Sequence, residues 1–184
     1  NWIISSQIKF IQFIPCLPEM GKRKDQYCLT PQSLYSFYHQ LMPLWEAEIK
    51  RGNIISISFF ENIMMLLSGY PPQQCGSLGF CNMQYVIESN GNVYPCDFYA
   101  TDQYLIGNIK NNSIKELAIN QLTRNFLSEP RSICALCSNC RYASICNGQC
   151  KRLSVCYYNT DYCGYKQFLE EHESDFLNIM QKMF

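Results

Sequence analysis

Ten of the twelve cysteines fall at positions 75, 81, 96, 134, 137, 140, 146, 150, 156 and 163. Cys134-x2-Cys137 and Cys137-x2-Cys140 are pairs that let two thiolates meet one metal centre from a single tight turn. Zinc and iron–sulfur clusters both accept four thiolates, and spacing alone does not separate them. Eight of these cysteines would serve two tetrathiolate sites, with two left over. The stretch CALCSNCRYASICNGQC, residues 134–150, holds five. That is one more than a tetrathiolate site takes, so either one is spare or some of the five act with partners elsewhere. In a secreted chain this many cysteines would suggest disulfides; without an export signal, and in an otherwise ordinary globular composition, they point to metal or cluster binding.

The remaining composition narrows the class. The chain has 184 residues, 47% of them apolar, enough for one domain or two small ones. Fifteen basic residues balance fifteen acidic ones, and no basic block stands out, which argues against nucleic acid and anionic membranes as partners. The apolar runs Ile54–Phe60 and Ile63–Leu67 fall far short of the ~20 residues of a membrane span. The chain begins Asn1-Trp2-Ile3 without a leader peptide or an initiator Met, and a cytoplasmic piece of something longer is expected.

The elements that must position the cysteines divide at Ser68-Gly69-Tyr70-Pro71-Pro72, a turn-rich junction. Before it, Ile8–Ile14 predicts a buried strand of the parallel-sheet kind. Thr30-Pro31 starts a helix whose stripe is Leu34, Phe37, Tyr38, Leu41, Trp45 and Ile49, kinked at Pro43 and closed by Gly52. Ile54–Ser58 predicts another strand, followed by a short helix to about Leu67. Strand–helix–strand is the rhythm of an α/β layer, and two strands are too few to close one. After the junction, Asn90-Gly91 predicts a two-residue hairpin loop between 85–89 and 92–94. Ser89 then pairs with Asn92 and Tyr85 faces Cys96. Cys81 would lie ~13 Å further out on an extended chain, so a bend is expected at Asn82–Met83. Ser113-Ile114-Lys115-Glu116 is a capping box opening a helix to about Phe126. Tyr165, Phe168, Leu169, His172, Phe176, Ile179, Met180 and Met183 form the packing stripe of a last helix. His39 and His172 sit on helix faces without a partner at metal spacing, and a structural role is expected for both.

The run Cys75-x5-Cys81-x14-Cys96, then Cys137-x2-Cys140-x5-Cys146-x3-Cys150 and a later cysteine, resembles the SPASM domain of radical SAM enzymes. Val93-Tyr94-Pro95-Cys96-Asp97-Phe98-Tyr99, Gly107-Asn108-Ile109 and Gln12-Phe13-Ile14-Pro15-Cys16-Leu17 resemble the anaerobic sulfatase-maturating enzymes within it. The resemblance implies an α+β fold: the C-terminal strands and helices of a partial (β/α)6 radical SAM barrel at 1–70, a SPASM domain of β-hairpin, cysteine-rich loops and helices at 71–165, and a packing helix at 166–184. It implies two auxiliary [4Fe-4S] clusters, one on Cys75, Cys81, Cys96 and Cys150, the other on Cys137, Cys140, Cys146 and Cys163. Cys156 is the alternative to Cys163, and Cys134 stays open through its spacing to Cys137. Cys16 and Cys28, with Cys134 and Cys156, read otherwise as small buried hydrophobes. Asp97, directly after the third cysteine, is implied as the general base of an oxidation of a sulfatase Cys or Ser to Cα-formylglycine; read from the residues alone it is an Asp bonding nearby backbone amides. The aromatics Tyr85, Tyr94, Phe98, Tyr99, Tyr142, Tyr157, Tyr158 and Tyr162 are expected to shield the clusters from water.

Radical SAM chemistry also needs a Cys-x3-Cys-x2-Cys loop. Cys146-x3-Cys150 comes nearest, but position 153 is Leu. The chain alone is therefore expected to be inactive. A missing N-terminal barrel would supply S-adenosylmethionine and a third [4Fe-4S] cluster, and an unfolded sulfatase peptide is the expected partner. The competing readings are a SPASM maturase of another peptide and a non-catalytic zinc or iron–sulfur module.

Overall fold

The computed structural model describes residues 2–21, 25–131 and 133–183. The side chain of Met183, expected on the last stripe, and Phe184, the end of the expected packing helix, lie outside the described residues, as does Asn1. After a short helix α1 (Trp2–Ser5), β1 (Phe10–Ile11) pairs in parallel with β2 (Ser56–Ile57), Phe10 opposite Ser56. Between them runs α2 (Pro31–Lys50), opened as expected: Thr30 Oγ1 accepts the Ser33 N–H at 3.1 Å and Pro31 takes the first turn, where no N–H is needed. The helix continues through Pro43 and buries Leu34, Tyr38, Met42 and Trp45, while Phe37 is exposed at its edge. Helix α3 (Ser58–Leu67) follows β2 directly. The parallel pairing is as expected, but the strand at Ile8–Ile14 is shorter and not buried: Phe10 is 82% and Ile14 72% exposed. Only one neighbouring strand and no covering layer reach this face among the described residues.

A second, antiparallel sheet has the order β3 (Val86–Ile87), β4 (Asn92–Tyr94), β5 (Gly107–Asn108). Its register corrects the expected hairpin by one residue. Val86 faces Tyr94 and Ile87 faces Val93, so the loop has three residues, Ser89, Asn90 and Gly91, closed by the Gly91 N–H to the Glu88 carbonyl at 2.8 Å. A two-residue type I′ loop needs positive φ at both Asn90 and Gly91; only Gly91 adopts it, at φ 92°. Cys96 consequently lies opposite position 84 rather than Tyr85, and the Gln84 N–H bonds the Pro95 carbonyl at 2.9 Å. The sharp backbone departure falls at Tyr85, φ 52°, not at Asn82–Met83.

The capping box holds Ser113 and Glu116 as expected, but the helix it opens is two: α4 (Ile114–Ile119) and α5 (Gln121–Ser128). Asn120 breaks them, because its extended backbone (ψ 164°) lets its side chain cap the Thr123 N–H at 2.7 Å. Short helices α6 (Ala143–Cys146) and α7 (Ser154–Tyr157) precede α8 (Gly164–Met183). Helix α8 lies along α2 and closes the main core, where Phe60, Phe168, Leu169 and Phe176 are fully buried. Each such side chain contributes ~1.5–3 kcal/mol by leaving water. No helix among the described residues is long and apolar enough to cross a membrane.

Candidate metal centres

Cys134, Cys137, Cys140, Cys146 and Cys163 line one cavity of about 540 Å³. Each arrives on a different local device. Cys137 ends a 3-10 turn, Ala135–Cys137, and its N–H bonds the Cys134 carbonyl at 2.9 Å. Cys146 ends α6. Cys163 follows a tight loop, 159–162, and its sulfur accepts the Lys166 N–H at 3.3 Å from the first turn of α8. Burial pushes the Cys146 thiol up to about 12, with Cys163 and Cys137 adding to it. Burial also raises Cys163, seconded by Cys137 and Cys140, and raises Cys137, seconded by Cys134 and Cys140. These thiols line one cavity, and a metal centre bound there would expel their protons.

Cys150 does not join that cavity. Between it and Cys146, the residues Asn147, Gly148 and Gln149 all have positive φ (49°, 72° and 58°). Two of these are not glycine, and αL costs such residues ~1–2 kcal/mol each. Hydrogen bonds hold the reversal in place. Asn147 Nδ2 donates to the Ser77 carbonyl at 2.8 Å, Gln149 Nε2 to Ser77 Oγ at 3.0 Å, and Arg131 Nη1 to the carbonyls of Asn147 and Gln149 at 2.9 and 3.1 Å. Ser77 sits in the 3-10 turn Cys75–Leu78. The reversal thus carries Cys150 to Cys75, whose thiol is raised first by burial and next by Cys150 and Cys81. Cys96 is pushed to about 12 by burial, with Asp97 and Cys150 adding to it. Burial raises Cys81 too; Lys151 opposes the shift and Cys150 reinforces it. Cys150 is the common neighbour of the other three.

Both groups have hydrogen-bond donors aimed at sulfur and an aromatic surround. The Arg152 N–H reaches Cys150 Sγ at 3.4 Å. Tyr99 and Phe98 pack beside Cys96, and Tyr142, Tyr158 and Tyr165 face the cavity. Among the described residues no three thiols come within 4.8 Å of one another, whereas ~2.3 Å zinc–sulfur bonds need tetrahedral edges of ~3.8 Å. The thiol sets therefore have room for a multi-atom cluster, and the donor set fits one.

Asp97 is exposed at the head of the 3-10 turn Asp97–Tyr99. Its Oδ1 accepts the Phe98 N–H at 3.0 Å and the Cys96 thiol at 3.2 Å. Cys156 is fully buried in the main core, away from the cavity that Cys163 lines. Cys28 is buried and donates to Asp25 Oδ1 at 3.3 Å. Cys16 is exposed and Cys134 half-buried, so the small-hydrophobe reading fits only Cys28 and Cys156. The two histidines, for which the sequence offers no partner at metal spacing, meet: His39 Nδ1 lies 3.0 Å from His172 Nε2. No spacing signal reveals a pair 133 residues apart on two helices.

Residues 75–141 match the family model SPASM, described as an iron–sulfur cluster-binding domain. A cysteine-type anaerobic sulfatase-maturating enzyme of Clostridium novyi (strain NT) is 36% identical over 146 residues, covering 78% of this chain and 39% of that protein. The cysteine-type enzyme of Clostridium perfringens (strain 13 / Type A) is 33% identical over 179 residues, covering 93% of this chain and 48% of that protein. A solved structure described as native anSMEcpe with bound AdoMet and Cp18Cys peptide superposes with a TM-score of 0.87 at 28% identity, over 100% of this chain and 53% of that one. The chain spans about half the length, or less, of the relatives it matches.

Proposed function

The chain carries a SPASM iron–sulfur cluster-binding domain and is a relative of the anaerobic sulfatase-maturating enzymes, matching the C-terminal part of their length; on that premise we propose that it is the auxiliary-cluster part of a radical SAM oxidoreductase converting a Cys or Ser of a sulfatase peptide to Cα-formylglycine. Cys75, Cys81, Cys96 and Cys150 hold one [4Fe-4S] cluster and Cys137, Cys140, Cys146 and Cys163 the other. The observation that carries this reading is the Asn147–Gln149 reversal, which sends Cys150 to the first three cysteines while Cys146 stays in the cavity. Such an exchange ties the hairpin to the C-terminal loops, so that cluster binding becomes folding energy for loops with little core of their own.

When bound, the clusters supply one-electron acceptors for the substrate electron. The protein's own residues do the rest. Apolar and aromatic walls exclude water, N–H groups at Cys150 and Cys163 steady the sulfurs, and Asp97 takes the proton of the substrate thiol or hydroxyl. Exposure of its carboxylate on the hairpin side supports that role. The two-stranded parallel sheet, with Phe10 and Ile14 exposed, is the end of a partial (β/α)6 barrel at 1–70 whose further strands carry S-adenosylmethionine and a third cluster; 71–165 is the SPASM domain and 166–184 the packing helix. On this reading the chain alone starts no radical reaction, and the whole enzyme works in the cytoplasm on an unfolded sulfatase segment.

Metal analysis after anaerobic reconstitution tests the core of this. Two cubane clusters require about eight irons per chain and a brown chromophore. About two zincs and no colour would instead identify a zinc module.

A further inference from the structure

The chain's two histidines converge with a carboxylate at the α2–α8 contact. His39 Nδ1 lies 3.0 Å from His172 Nε2 and 3.1 Å from Glu171 Oε2, and one ligand atom from each of the three residues lies within 4.8 Å of the others. We propose that His39, Glu171 and His172 form a divalent-cation site, zinc by its donor set, that clasps α2 to α8.

The surrounding hydrogen bonds direct the lone pairs. Asp175 Oδ2 lies 2.8 Å from His172 Nδ1. That carboxylate accepts the Nδ1 proton and leaves Nε2 as a lone-pair donor, the arrangement that orients metal-binding imidazoles. Tyr35 OH donates to Glu171 Oε2 at 2.6 Å and Gln167 Nε2 to Oε1 at 3.0 Å, which fixes the carboxylate. Tyr35 stacks on the His39 ring, centroids 5.2 Å apart, and Phe168 packs on His172 at 4.9 Å. Without metal, a single proton on His39 Nδ1 has two acceptors to satisfy. A cation at that point accepts all three lone pairs, and the His39 proton moves to Nε2, on a ring whose side chain is 47% exposed.

The dimensions suit zinc. Bonds of ~2.0–2.2 Å to nitrogen and oxygen set tetrahedral edges of ~3.3 Å, so the pairs now at 3.0 and 3.1 Å need open by only a few tenths of an ångström. Two imidazoles and one carboxylate leave a fourth position for water. The nitrogen and oxygen donors also distinguish this site from the all-thiolate sets, so the chain holds two classes of metal without exchange of ligands.

The test uses the full chain with its iron–sulfur sites reconstituted, stripped of loose metal by a chelator, then titrated with zinc sulfate. One zinc per chain is expected, with zinc-edge X-ray absorption showing only nitrogen and oxygen at ~2.0–2.1 Å. His39→Gln, on an exposed side chain, and Glu171→Gln should each weaken zinc binding at least tenfold with iron content unchanged. Asp175→Asn should weaken it about tenfold. Zinc should raise the melting temperature of the parent chain and not of His39→Gln. No bound zinc, sulfur scatterers at ~2.3 Å, or unchanged affinity in His39→Gln would each overturn the site.

Discussion

Gly164→Ala isolates how the helix pair sets a cluster ligand. Gly164 opens α8 and is buried against the start of α2. A Cβ there would fall inside the van der Waals shell of the Pro31 carbonyl oxygen, with Pro31 C at 2.9 Å and Tyr35 Cβ at 3.3 Å. Ordinary carbon–carbon contacts are ~3.5–4.0 Å, and the nearest atoms are backbone of a capped helix start. The two helices must therefore part by ~0.6–1 Å to clear Pro31 C, loosening Leu34, Tyr165 and Phe168. Overpacking of this kind costs ~1–3 kcal/mol. A loss of ~2 kcal/mol lowers the melting temperature by ~4–8 °C in a chain of this size. In a helix without that contact the same change stabilises by ~0.5–1 kcal/mol, so the sign alone discriminates. Cys163 directly precedes Gly164 and its sulfur is held by the first turn of α8. The displacement should cost the second cluster, about four irons per chain. Anaerobic thermal denaturation with iron analysis reads both. An equal or higher melting temperature with full iron would refute the packing argument.

Cys150→Ser should leave about four of about eight irons, held by the cavity set, whereas Cys134→Ser should leave all of them; iron content and the paramagnetic spectra of the reduced protein distinguish the two. In the full-length enzyme, Asp97→Asn should cut aldehyde formation by ~10²–10⁴-fold while both clusters remain, and turnover at the parent rate would remove Asp97 as the base. Burial, and next the Glu173 carboxylate at 2.9 Å, push the Tyr142 phenol up to about 12. The phenol is thus protonated in the folded chain at pH values where the unfolded one has ionised, so its contribution to stability is full below about pH 10 and is lost as pH rises toward 12. Denaturant melts at pH 9 to 11 should fall less steeply for Tyr142→Phe than for the parent.

Local signals in the sequence were sufficient where the forces are local. The Thr30-Pro31 start, the Ser113–Glu116 capping box and the stripe from Tyr165 to Ile179 all rest on contacts within a turn or two, and each stands where the spacing places it. The hairpin was legible as a hairpin but not in its register. Asn-Gly admits either a two-residue loop or a three-residue loop with a left-handed glycine, and the pairing of β4 with β5 on its far side favours the latter. The long helix expected over 114–126 breaks at Asn120, a residue equally able to cap a new helix or continue the old one.

At the metal centres the sequence by itself determined the crowding of ten cysteines between positions 75 and 163, with eight enough for two tetrathiolate sites, and the SPASM-like order of their spacings. Only the tertiary structure decided which thiols face one another. Cys146 and Cys150 are four residues apart, yet three left-handed residues, held by Ser77 and Arg131 from distant loops, turn them to different neighbours. Cys156 and Cys163 are equivalent by type, and packing buries one in the core while the other lines the cavity. His39 and His172 carry no mutual signal, because parallel docking of two helices brings them together and no spacing along the chain encodes that contact.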